Sequence, residues 1–330
     1  MMKIATRLLI LLAAALAGPD CGAQTPPKGP MSAYPSRPIR IIVPFGPAGP
    51  TDVIARIIAQ KMTERMGQQV YVENHGGAAG NIGMGMAAKA EADGYTILIA
   101  GSNFIINPSL FEKIPYDPFK SFAPVTLICT SPNVLAVHPS IPAKTVQELI
   151  ALIKANPGKY SYASAGVGTT PHLSGELLKL SLGLDLVHVP FGGGGPAITS
   201  TVGGHTNIII NAIPPLLPHL RDGTLRALAV MSSKRVAALP DVPTMAEAGI
   251  AGQESDAPAA VLVPAGTPVE IVDRLNREIV AIVSLPDIHE RLTTLGFVPV
   301  GNSPGEFSAW IKTEIARWDG VVRKAGIKLQ

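Results

Sequence analysis

The sequence predicts an α/β protein of two lobes joined by two crossings, a hinged clamshell with a cleft between the lobes. Three observations carry this reading. Short β-rich runs alternate with amphipathic segments at helical spacing, the rhythm of parallel strands with crossover helices. The chain has 330 residues, 47% hydrophobic and only 15% charged, more than a single core usually serves. Two extended passages, 122–139 and 259–263, interrupt the alternation where the chain would pass from one lobe to the other.

Taken in order, residues 1–23 are of a different kind from the rest. Lys3 and Arg7 precede an apolar run over 8–17, and Cys21-Gly22-Ala23 supplies small residues before Gln24. Ten apolar residues are too few to span a bilayer, so the segment reads as an export signal cleaved near Ala23, giving a soluble periplasmic protein. A lipid anchor at Cys21 is the alternative, disfavoured by Pro19 and Asp20 directly before it. Residues 39–44 then read as a buried strand and 51–66 as a helix, with Val53, Ile54, Ile57, Ile58 and Met62 on one face. A strand at 70–73, a helix over 83–92 and, after the turn Asp93-Gly94, a strand at 95–100 complete the first series. The passage 122–139 carries two β-rich stretches separated by Ser131-Pro132. A second series follows: helix 146–155, strand 160–163, helix 173–182, and strands 185–189, 207–211 and 225–231. After the return crossing, helices over 268–285 and 304–325 pack back on the first lobe. The expected division is therefore 24–128 with 258–330 in one lobe and 129–257 in the other.

Composition narrows the function. The net charge of +3, with acids and bases intermixed, offers no basic stripe for nucleic acid. The two cysteines are Cys21 and Cys129, so the mature chain has no internal disulfide, and Cys129 in its apolar run reads as a small buried hydrophobe. The 33 glycines and 31 prolines are unusually many, yet they follow no collagen period and no repeat. They concentrate in four strand-to-helix loops, over 44–52, 76–83, 164–171 and 191–196. Ligands of open α/β sheets bind at such loops, where glycine admits backbone N–H groups and a helix N-terminus adds partial positive charge. None of the four loops contains lysine or arginine, and no P-loop motif is present. The pattern favours a carboxylate over a phosphate, held by amides and by the hydroxyls of Thr51, Ser164, Thr169 and Thr170.

Several stretches carry a more specific resemblance. Tyr34-Pro35-Ser36-Arg37-Pro38 running into Ile39–Phe45, Gly80-Asn81-Ile82-Gly83, Asp93-Gly94-Tyr95-Thr96, Leu225-Arg226-Ala227-Leu228-Ala229-Val230, Leu239-Pro240-Asp241-Val242-Pro243-Thr244 and Pro264-Ala265-Gly266-Thr267-Pro268 resemble the Bug family. These are the extracytoplasmic solute receptors of tripartite tricarboxylate transporters, and the resemblance runs from Tyr34 to the C-terminus. It implies a monomeric periplasmic binding protein of the Venus-flytrap, type II-like class. Such a protein has no cofactor, takes a small mono- or dicarboxylate as ligand and delivers it to a membrane permease. By the same resemblance the loop from Phe45 to Asp52, including Gly49 and Thr51, holds one carboxylate, partly through water, flanked by Ser102 and Asn103. Ser164, Gly166, Gly168, Thr169 and His172 match the family's second-lobe loop, and Gly192 lines the cleft mouth. Asn211 stands where many members carry aspartate. Loss of that acid disfavours an amino-acid ammonium. Residues 254–258 replace a stretch that often contains an aromatic pair.

Each reading has a plainer rival. Asp52 suits any first helical turn, His172 can brace its own helix, the glycines over 192–195 can serve as a turn, and Asn107-Pro108 reads as a turn. Catalysis finds little support. The Gly83-x-Gly85 pattern falls inside a helix, Tyr162 replaces the first glycine of a Gly-x-Ser-x-Gly elbow around Ser164, and the histidines show no His-x-x-x-His pair. Two alternatives of other kinds are a periplasmic sensor signalling to a membrane histidine kinase and a secreted hydrolase using Ser164.

Overall fold

The computed structural model describes residues 34–47 and 49–328. The export signal over 1–23 and the alternative anchor at Cys21 lie outside the described residues. Strand β1 (Ile39–Val43) is β-branched at four of five positions and leads to helix α1 (Pro50–Met66). Gly67 ends that helix in the left-handed region at φ 70°, a conformation that costs glycine little. Strand β2 (Val70–Asn74), a 3₁₀ turn (Ala78–Gly80), helix α2 (Asn81–Ala88), strand β3 (Thr96–Ala100) and helix α3 (Asn103–Leu110) follow. Next come β4 (Phe122–Val137), α4 (Val146–Ala155), β5 (Ser161–Ser164), α5 (Thr170–Leu182), β6 (Val187–Pro190), α6 (Gly194–Val202), β7 (Ile208–Ala212), α7 (Ile213–Arg221) and β8 (Arg226–Val230). The chain returns through β9 (Asp256–Pro264) and ends in α8 (Val269–Val283), α9 (Pro286–Thr294), β10 (Val298–Pro299) and α10 (Pro304–Ala325). Among the described residues no helix is long and apolar enough to cross a membrane.

The strands form one continuous path, β2-β1-β3-β9-β4-β7-β5-β6, with β8 and β10 also on β4. This is the two-lobed α/β architecture expected, with one difference: the sheet is mixed rather than parallel. β1 is parallel to β2 and β3, and β5 to β6 and β7, as βαβ crossovers require. The crossing strands β4 and β9 are antiparallel to their neighbours and to each other. The first part of β4 pairs with β9 and β10, and its last part with β7 and β8. It is a single strand, where two stretches broken at Ser131-Pro132 were expected. Irregular register near Pro124 and a change of partners after Pro132 accommodate both prolines without ending it.

Proline also misled elsewhere. Asn107-Pro108 lies inside α3 rather than in a turn, with Pro108 near the helix end, where the N–H of Phe111 still reaches the Asn107 carbonyl. Helix α7, with Pro214, Pro215 and Pro218, and helix α9, opened by Pro286, were not anticipated because their prolines read as punctuation. The second helix starts at Asn81 and stops at Ala88, short of the 83–92 expected.

Around the first sheet segment, Ile42, Leu98 and Leu262 pack with Phe104, Phe307, Ile311 and Trp318, so α10 shares a core with β1, β3 and β9. Phe104, Tyr116 and Phe122 form an aromatic trio with centroids 5.6–5.8 Å apart. Around the second segment, Leu135, Ile208, Ile210 and Tyr162 pack with α4 and α5 on one face, and Ala163, Ile209, Ile213 and Leu216 with α6 and α7 on the other. Helix α5 approaches β5 at Gly175, where an added Cβ would lie 2.3 Å from the ring of the fully buried Tyr162. Alanine is the better helix former by about 1 kcal/mol, but overpacking of this kind typically costs about 1–3 kcal/mol. Gly175→Ala is therefore expected to lower the urea midpoint despite its better propensity. An unchanged or raised midpoint would show that the ring moves aside freely.

Candidate functional site

A cavity of about 520 Å³ opens along the two crossing strands. One wall is built by the β1–α1 and β3–α3 loops through Phe45, Gly46, Pro47, Gly49, Pro50, Thr51, Gly101 and Ser102. The opposite wall is built by Ala165, Gly192, Gly193, Gly194 and Ala212, and the floor by Ser131 of β4 with Ala257, Pro258 and Ala259 of β9. Ile54 and Phe297 also line it, and among the described residues the lining contains no charged side chain.

Four helices begin at this cavity. Their N-caps, Gly49 for α1, Ser102 for α3, Gly193 for α6 and Ala212 for α7, all line it, and none provides a side-chain cap. Elsewhere Thr145, Thr169 and Ser303 cap α4, α5 and α10, while α2, α8 and α9 also lack a side-chain cap. Uncapped N-termini present N–H donors and about half a positive charge each. Two stand on each wall. Prolines modify their contributions: α7 carries Pro214 and Pro215 in its first turn and so adds field more than donors, whereas α6 begins with two glycines.

Of the residues singled out from sequence, Phe45, Gly49, Thr51, Ser102 and Gly192 line the cavity. The others surround it. Asp52 is buried behind the first wall, accepting from Arg56 Nε at 2.9 Å and from Asn74 Nδ2 at 2.9 Å. Asn74 Nδ2 also donates to the Phe45 carbonyl at 3.1 Å, so this pair fixes the shape of the β1–α1 loop. Asn103 donates to the Ala79 carbonyl, as does Asn107, and together they hold Ala78 and Ala79 at positive φ. Gly101 matters by its smallness: a Cβ there would lie 3.1 Å from the Phe45 ring.

Behind the second wall, Ser164 is fully buried, with its Oγ 2.7 Å from His188 Nε2 and accepting from Gly166 N–H at 3.2 Å. Thr169 caps α5 and donates to the Gly166 carbonyl at 2.7 Å, while His172 Nδ1 accepts from Gly168 N–H at 3.1 Å. These residues lock their own loop, and only Ala165 of it reaches the cavity. Asn211 lies beneath Gly194. Its Oδ1 accepts from Ala212 N–H at 2.9 Å, which fixes the amide orientation and leaves Nδ2 buried and unpartnered. An added Cβ on Gly194 would stand 2.8 Å from that nitrogen.

A family model described as the tripartite tricarboxylate transporter family receptor matches residues 54–327. The chain belongs to this family. Protein BugT of Bordetella pertussis is 39% identical over 329 residues, 98% of this chain and 99% of the relative, which bears out the Bug resemblance. A solved R. palustris protein with adipate is 36% identical with a TM-score of 0.81, the match covering 89% of this chain and 99% of that one. MatC from Rhodopseudomonas palustris with bound malate is 33% identical with a TM-score of 0.75, over 88% and 100%. The receptor is thus a solute-binding protein rather than an enzyme, in accord with the buried, loop-locked state of Ser164.

Sequence reasoning missed the floor of the receptor's cavity and Phe297. Ser131-Pro132 was visible only as a break between strands, Ala257 and Pro258 only as part of a departure from the family pattern, and Ala259 only as the start of the return crossing. Nothing in the sequence marked Phe297.

His172 and His188 stack with centroids 4.1 Å apart, beside Tyr162, Glu176 and Lys179. Burial pushes both imidazoles down to about 4, with Glu176 opposing the shift. The unfolded chain therefore takes up protons at about pH 6.5 that the folded chain refuses until about pH 4, and the pair's contribution to stability falls as pH falls through that window. Asp256 acts in the opposite sense. Burial, reinforced by Glu314, raises its carboxyl to about 7, so its contribution grows as pH falls from 7 towards 3.8. Replacing one histidine isolates the first effect: His188→Asn is expected to make the urea midpoint fall less steeply between pH 6.5 and 4 than in the unaltered receptor. Parallel profiles would show that the pair is not the source.

Proposed function

We propose that the protein is an exported receptor that binds a small dicarboxylate in this cavity and delivers it to a membrane permease of the tripartite type. The observation that carries the reading is the pair of uncapped helix N-termini on each of two facing walls, in a lining without charged side chains. Two electropositive ends separated by a floor that is apolar but for Ser131 match a ligand with an anion at each end and a carbon chain between. Relatives solved with adipate and with malate support the choice. Thr51, Ser102 and the first-turn amides of α1 and α3 hold one carboxylate. Gly193, Gly194 and Asn211 Nδ2 hold the other.

Because amides rather than arginines neutralise the ligand, affinity is expected to depend only mildly on salt, with a dissociation constant of about micromolar, or about −8 kcal/mol. A hydrogen bond to a charged group is worth about 1.5–3 kcal/mol. In calorimetric titrations with adipate and malate, Asn211→Leu is therefore expected to weaken the better ligand about 10–100-fold. The matching diamides should not bind. Binding of the diamides as tightly as the acids would refute an anion site.

A further inference from the structure

We propose that Ser131 makes the receptor selective for dicarboxylates bearing a polar substituent, such as a hydroxyl, on the chain between their end groups. The inference rests on the dicarboxylate reading and adds a contact that belongs to neither wall. Ser131 lines the cavity, is 2% exposed, and its Oγ has no hydrogen-bond partner. It lies opposite Ala257 in the β4–β9 register, one residue before Pro132, after which β4 turns to β7 as partner. That position is on the strand where β4 exchanges partners, outside the loops that carry the helix N-termini.

The surrounding floor, Ala257, Pro258 and Ala259, is apolar, so alanine would satisfy the packing at 131 equally well. The neighbouring hydroxyls do not use Ser131. Ser174 and Ser255 bond each other and Asn133. The other unpaired atom of this strand segment, Asn133 Oδ1, belongs to a residue that does not line the cavity. A buried hydroxyl without a partner is costly, and it both donates and accepts. It is therefore completed by a ligand group that does the same. A bare methylene chain leaves it unpaired, and a site built around a hydroxyl discriminates against the analogue lacking it.

The test is calorimetric titration of the receptor with three pairs matched in length: succinate and malate, glutarate and 2-hydroxyglutarate, adipate and 3-hydroxyadipate, with both enantiomers of each hydroxy acid supplied. At the preferred length the hydroxylated member is expected to bind at least about tenfold more tightly. Ser131→Ala, which adds no atom to the core, is expected to bring that ratio close to one by weakening the hydroxylated ligand while leaving the plain one unchanged. A ratio near one in the unaltered receptor, or equal weakening of both members by the substitution, overturns the role of Ser131 and leaves the dicarboxylate reading standing. Binding of none of these acids overturns both.

Discussion

The position of Pro132 in β4 governs the rest of the architecture. Proline has no N–H to donate to a ladder, and at this residue β4 passes from β9 and β10 to β7 and β8. The adjoining backbone is tied at once: Asn133 N–H donates to the Ser255 carbonyl, Met231 N–H to the Asn133 carbonyl and Ser255 N–H to the Met231 carbonyl, at 2.7–3.0 Å. One strand thereby belongs to both halves of the sheet, and the loops at the ends of β1, β3, β6 and β7 face one another across it. The cavity is a product of that exchange of partners.

The site gathers positive potential without positive side chains. A lysine or arginine would bring a large desolvation cost when the cavity is closed over a ligand, whereas helix ends are fixed in place by the folds they terminate. The charged groups nearest the walls are spent on scaffolding: Asp52 with Arg56 and Asn74 shapes the first loop. On the far side, Glu176 is occupied by Tyr162 and Lys179 beneath the histidine stack. The polar side chains that line the cavity are the hydroxyls of Thr51, Ser102 and Ser131.

The parts legible in the sequence were those set by local chemistry. The end of α1 at Met66 and the alternation of strands and helices followed from hydrophobic spacing. The glycine loops near 45–52 and 192–195 were legible from their composition, and residues of both line one cavity. Other parts depend on partners far apart in the chain. Ser131 reads as an interruption until β9 is laid beside it, and Phe297 reaches the cavity only because β10 pairs with β4. Thr169 and His172, expected near the ligand from their loop, serve the first turn of α5. His188, unremarkable in the sequence, completes that arrangement by stacking on His172.

The buried contacts among Asn133, Ser255, Ser174 and Thr170 have a directional consequence. Each serine hydroxyl owns one proton. Asn133 Nδ2 reaches Ser255 Oγ at 2.7 Å, the two serine oxygens stand 2.6 Å apart, and Ser174 Oγ reaches the Thr170 carbonyl at 2.6 Å. With the amide as first donor and the carbonyl as last acceptor, the protons can be ordered in only one sense, from the strand exchange towards the start of α5. The first turn of that helix is thus keyed to the crossing strands by a one-way relay. Sliding one against the other strands a buried hydroxyl, at a cost of about 1–3 kcal/mol.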